Sequence, residues 1–161
     1  MLKLYFWLDK TLPKNYALQI FSLFLIKLIF SLSLNFALGF FDFESFKEIS
    51  NSRKNENKIL LFFGIVIFAP LFETFLYHWL PIFVYTSIRE IRRYDFILVI
   101  IISILFGLSH GINYVYMFSA FFAGLLYCLI AFYYEQKGMN FFIPILIIHF
   151  LNNLLAFTKY I

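Results

Sequence analysis

Five stretches of this chain are apolar for long enough to reach into or across a bilayer, and the segments between them are short. The runs cover residues 16–41, 59–87, 96–109, 114–134 and 141–157. About 20 apolar residues are needed to cross the hydrocarbon core as a helix, and only helices and closed barrels satisfy their backbone there. The chain outside the runs is too small to form a separate soluble body. Only 14% of its 161 residues are charged, where a soluble domain carries roughly a quarter. The expected fold is therefore all-α: a single polytopic transmembrane bundle over residues 1–161, with about five spans.

Charge argues the same way. The net charge of +4 is modest and sits mainly between the apolar runs. That is a topology signal, and no nucleic acid partner is expected. If all five runs cross, Lys3, Lys10, Lys14, Arg89, Arg92, Arg93 and Lys137 share a side, against Lys47, Arg53, Lys54, Lys58 and Lys159 on the other. This slight excess favours a cytoplasmic N-terminus. The first run is longer than a signal-peptide core and is interrupted by Lys27, so it reads as an uncleaved span. Residues 42–58 are the one hydrophilic stretch and read as a solvated loop. Cys128, the single cysteine, lies in an apolar run and reads as a small hydrophobe.

Ionisable residues at membrane depth cost roughly 2.5–3.5 kcal/mol on insertion scales, so each one needs a reason. Lys27, Glu73, His78, His110 and His149 stand out, and Asn152 and Asn153 follow the last histidine. His149 and Asn153 are four apart and share a helix face. Glu73 and Tyr77 do likewise. His78 follows Glu73 by five residues, about 140° further round an ideal α-helix, so the two point apart unless Pro70 or Pro81 distorts the helix. Lys27 reads as snorkelling or pairing with a polar group. Three separate helices thus offer a carboxylate, an imidazole, and an imidazole with an amide. Converging, they would form an amide-hydrolysis site without a nucleophilic Ser or Cys. Glu73 would take a proton from water, His110 would hold the water, and His149 with Asn153 would stabilise the oxyanion. Axial haem ligation by His110 and His149, or a proton path through Glu73, are weaker readings of the same residues.

The order of these residues resembles a family. Ala69-Pro70-Leu71-Phe72-Glu73-Thr74-Phe75-Leu76-Tyr77-His78 looks like the first motif, A-P-x-x-E-E-x-x-x-R, of the CPBP family, the CAAX-protease and bacteriocin-processing (Abi) intramembrane peptidases. Phe106-Gly107-Leu108-Ser109-His110 resembles its second motif, F-x-x-x-H, and His149-Phe150-Leu151-Asn152-Asn153 its third, H-x-x-x-N. The likeness covers a core of residues 59–157. It implies an intramembrane glutamate-type endopeptidase of a bacterial plasma membrane, with Glu73, His110, His149 and Asn153 catalytic. The substrate would be a peptide or membrane protein met at the membrane lipid. No cofactor is implied, with zinc at Glu73, His110 and His149 as the alternative. Thr74 and His78 stand where the motif has its second Glu and its Arg, positions tied to substrate placement. These departures leave a second reading open: a non-catalytic or weakly active member acting as a bacteriocin-immunity or binding membrane protein.

Overall fold

The computed structural model describes residues 8–39, 56–88, 94–111 and 114–158. Most of the 42–58 loop and the Arg89–Arg93 turn, on which the orientation rests, lie outside the described residues. Among the described residues all regular structure is helical: α1 (Tyr16–Gly39), α2 (Lys58–Ser87), α3 (Asp95–Ser109), α4 (Tyr114–Gln136) and α5 (Phe142–Phe157). Each helix occupies one of the five apolar runs, with ends within two residues of those expected.

Asparagines set several helix starts. Asn15, Asn57 and Asn140 each accept from backbone N–H groups of the first turn, Asn57 from Ile59 and Leu60, and Asn140 from Phe142 and Ile143. Such a cap satisfies donors that have no partner inside the helix. Between α4 and α5 the chain turns in five residues. Met139 N–H returns to Tyr134 O at 3.0 Å and Gly138 N–H to Glu135 O at 2.8 Å. Gly138 has φ +65°, the left-handed geometry this helix end demands. Asp9 and Lys137, 2.6 Å apart, fasten the same end of the bundle, and a Tyr85–Asp95 hydrogen bond joins the end of α2 to the start of α3.

Helices α1, α2 and α4 are long and apolar enough to cross a membrane. With 15 and 16 residues, α3 and α5 are shorter; at 1.5 Å per residue they cover about 22–24 Å of a core roughly 30 Å thick. A helix of this length is too short to cross the whole core upright, and α3 ends at Ser109, just before His110. Large apolar side chains stand exposed around the outside, among them Phe21, Ile29, Leu32 and Phe36 on α1 and Phe68, Phe72 and Phe96 on α2 and α3. Such a surface is stable against lipid tails and not against water.

Inside, α4 packs on all the other helices, and α5 lies against both α1 and α2. The core gathers Ile82, Phe106, Tyr127, Tyr134, Ile145 and Ile148, each at most 2% exposed. α3 and α4 approach closely at two glycines. A Cβ on Gly107 would sit 2.9 Å from Met117 O and 3.0 Å from Phe121 Cβ; one on Gly124 would sit 3.2 Å from Phe106 and from Ser103. Since a backbone oxygen cannot move aside cheaply, Gly107→Ala is expected to destabilise the bundle by about 1–3 kcal/mol. An unchanged thermal midpoint in detergent would show that the two helices are free to part there.

The expected distortion at the prolines takes a definite form. α2 contains two π-helical segments, Phe63–Phe68 and Thr74–Trp79, each ending two residues before a proline, Pro70 or Pro81. Ala69 N–H reaches Gly64 O, and Leu80 N–H reaches Phe75 O, both i→i−5. The wider turn moves the backbone past the residue that lacks an N–H.

Candidate active site

The two wide turns decide where α2 points its side chains. Over Thr74–Trp79 the i→i−5 register brings residues five apart onto one face, so Glu73 and His78 both face the bundle interior. An ideal α-helix would turn them apart. Glu73 lies at the end of the α-helical stretch between the two π segments, with its side chain 22% exposed.

Two imidazoles from other helices reach its carboxylate. His149 Nε2 on α5 lies 3.4 Å from Glu73 Oε2, and His110 Nε2 at the end of α3 lies 3.7 Å from the same oxygen. These separations are longer than an ordinary direct hydrogen bond. Glu73 Oε2 is buried and makes no hydrogen bond within the described residues. Buried polar atoms rarely go without a partner, so this oxygen is suited to a water or a substrate group.

The far nitrogens of both rings are held. His110 Nδ1 lies 2.7 Å from Phe106 O. A carbonyl only accepts, so the Nδ1 proton belongs there and Nε2 of the neutral ring offers a lone pair toward Glu73. His149 Nδ1 lies 3.4 Å from Thr74 Oγ1. When the threonine donates, the His149 proton sits on Nε2, the nitrogen 3.4 Å from the same oxygen. The two rings therefore present opposite hydrogen-bonding characters to one point: an acceptor from His110 and a donor from His149.

Behind this trio lies an aromatic shelf. The Phe106 ring packs 4.6 Å from that of His110 and 6.0 Å from that of His149, and Tyr127 on α4 lies 4.9 Å from His149. His78 is fully buried between Phe106 and Tyr127, with Nδ1 3.7 Å from Cys128 Sγ. Thr74 is also fully buried. Thr74 meets His149, and His78 meets Phe106, Tyr127 and Cys128.

Asn153 is placed differently from the trio. Its Nδ2 donates to Ile65 O on α2 at 2.9 Å. In the i→i−5 register that joins Ala69 to Gly64, the next bond would run from residue 70 to Ile65 O, and Pro70 has no N–H. Asn153 supplies that missing donor. Asn152 meets Lys27, whose ammonium donates to Asn152 Oδ1. Lys27 is 3% exposed, so it pairs inside the bundle and does not snorkel.

Two features of this region had no mark in the sequence. Tyr127 is one of many aromatic residues in a chain that is 24% aromatic, and nothing in its neighbours singles it out. The Lys27–Asn152 pairing spans 125 residues. Among the described residues, no group of three or more His, Cys, Asp or Glu side chains has metal-holding geometry.

A family model described as Rce1-like, type II CAAX prenyl endopeptidase Rce1-like, matches residues 55–155. The match includes Glu73, His110, His149 and Asn153 and leaves out α1. No curated protein and no solved structure matches the chain.

Proposed function

This chain belongs to the Rce1-like family of type II CAAX prenyl endopeptidases, a family of helical membrane proteases, and on that premise we propose that it is an intramembrane peptidase in which Glu73 activates a water. The observation that carries the reading is the approach of His110 Nε2 and His149 Nε2 to a single buried oxygen of Glu73, 3.7 and 3.4 Å away, from three different helices.

The reaction follows from those atoms. A water at Glu73 gives one proton to the carboxylate and is held through its other hydrogen by the His110 Nε2 lone pair. Its oxygen attacks the scissile carbonyl, and the negative charge that develops on the carbonyl oxygen meets the N–H of His149 Nε2. One of the two Asn153 amide hydrogens is on Ile65 O, and the proposal gives the other to the same oxyanion. Collapse of the tetrahedral species breaks the C–N bond, and the proton held by Glu73 passes to the departing amine. The products are a carboxylic acid, which keeps the water's second hydrogen until it ionises to the surrounding water, and an amine, and Glu73 returns to its starting state. Every step uses this chain's own side chains and water.

The substrate class proposed is a peptide presented at the membrane surface, with a prenylated C-a-a-X terminus as the form suggested by the family's description. The trio lies among apolar helices, so a substrate carrying its own lipid reaches it without leaving the bilayer. Full-length protein in phosphatidylcholine vesicles is expected to release the C-terminal tripeptide from a farnesylated C-a-a-X peptide, read by mass spectrometry. A chain that cleaves neither this peptide nor an unprenylated transmembrane peptide would stand instead as a binding or immunity protein on a peptidase fold.

A further inference from the structure

Lys27 lies near the middle of α1, outside the segment that matches the family. It is nonetheless built into the site's support. An ammonium buried to this degree requires partners. Among the described residues it meets Asn152 Oδ1 on α5 and the face of Tyr127 on α4, whose ring centroid is 5.7 Å from Nζ.

The bonds beyond Asn152 have a direction. Asn152 Nδ2 donates to Asn153 Oδ1 at 3.4 Å, and Asn153 Nδ2 donates to Ile65 O at 2.9 Å. Each amide can present either its oxygen or its nitrogen to a neighbour, so two asparagines in series have no inherent polarity. The ends of the relay impose one. Lysine only donates, which turns the Asn152 oxygen toward α1 and its NH2 toward Asn153. That in turn directs the Asn153 NH2 at Ile65, the carbonyl that Pro70 leaves without a donor. Glu73 follows Pro70 by three residues on the same helix. At its other contact Lys27 lies over Tyr127, whose ring packs on His149.

We propose that Lys27 is a positioning residue of the catalytic site: its ammonium sets the direction of an amide relay, Asn152 to Asn153 to Ile65, that holds the widened turn of α2 and with it the Glu73 carboxylate. The consequence for turnover rests on the peptidase reading above, whereas the effect on α2 does not. α1 is then part of the machinery and more than an anchor.

The test uses full-length protein in phosphatidylcholine vesicles and two readouts. The first is hydrogen exchange of the α2 backbone between Val66 and Glu73. The second is kcat and KM on the farnesylated C-a-a-X peptide. Lys27→Met is expected to speed exchange in that stretch by roughly tenfold while α4 is unaffected. It should lower kcat by roughly tenfold or more and leave KM within about twofold, because misplacing a reacting group costs turnover more than binding. Lys27→Arg, which also only donates, should restore both. Asn152→Asp guards against simple misfolding: it gives Lys27 a charged partner yet cannot donate to Asn153, and it should reproduce the Lys27→Met effects. Combining Lys27→Met with Asn152→Asp should add little to either alone, as expected within one network. Wild-type exchange rates in both variants would overturn the proposal, as would losses that multiply in the double variant. If the wild type cleaves no peptide, the peptidase reading fails and the exchange data alone decide the relay.

Discussion

Glu73→Gln is expected to reduce peptide cleavage by on the order of 10³-fold or more while the protein inserts and folds normally. Positioned general bases contribute typically 10²–10⁴-fold, and in the proposed mechanism the same carboxylate also hands the proton to the leaving amine. Glutamine has the same shape but cannot take up the proton, so the variant removes the chemistry and leaves the packing. The fold should not suffer. Glu73 Oε2 has no hydrogen bond to repay its burial, and a neutral amide is cheaper to keep at this depth than a carboxylate. The thermal midpoint of Glu73→Gln in detergent should therefore equal or exceed that of the wild type. This pairing of a lost activity with an undiminished midpoint separates a catalytic carboxylate from a structural one. Measured kcat within tenfold of wild type would remove Glu73 from the role of base, and with it the mechanism given above. His110→Ala, by the same logic, loses the group that holds the water's second hydrogen and should retain more activity than Glu73→Gln.

The five helices were legible because lipid leaves a chain few options. Apolar length and the short polar breaks at residues 110–113 and 135–140 set helix number and ends to within two residues. The convergence of three helices on Glu73 was legible only through motif order, since no spacing within one helix relates residues 73, 110 and 149. Periodicity placed His78 about 140° from Glu73 on the premise of 3.6 residues per turn. That premise fails over Thr74–Trp79, where the backbone bonds i→i−5. The cause was written in the sequence as Pro81, seven residues past the segment's start, but a proline announces a distortion without saying whether the helix bends, breaks or widens. Asn153 shows the same limit. Its position four residues after His149 suggested a shared face; its bond to Ile65 O depends on a carbonyl freed by Pro70 on another helix. Lys27 could be read as paired or snorkelling, and its acceptor 125 residues away was beyond any local pattern.

The approach of His110 to Glu73 follows from the short α3. α3 ends at His110 after 15 residues, and the ring turns back to bond Phe106 O, the fourth residue before it. The break in the helix is thus what frees the imidazole to swing toward α2, while its backbone N–H still finds Gly107 O at 3.1 Å. Gly107 and Gly124 let α4 come close enough to place Tyr127 against His149. Short helices, close glycines and wide turns all serve one geometry: they bring polar groups from α2, α3 and α5 together around the Glu73 carboxylate.

His149 carries the second large expectation. His149→Ala should lower kcat by about 10²–10³-fold, the usual loss when one donor to a developing oxyanion is removed, and should change KM much less. The ring offers that donor only in the tautomer with the proton on Nε2, and Thr74 Oγ1, 3.4 Å from Nδ1, is the group placed to select it. Thr74→Val keeps the shape and loses the hydroxyl, so both tautomers become available and kcat should fall by roughly tenfold. His149→Gln can still present an N–H near the original position and should keep more activity than His149→Ala. The expected order of kcat is therefore wild type, Thr74→Val, His149→Gln, His149→Ala. In the His149→Ala background, Thr74→Val should have no further effect, because the hydroxyl acts only through the ring. An independent loss from Thr74→Val in that background would mean that Thr74 works on the helix itself, and the donor role of His149 would have to stand without it.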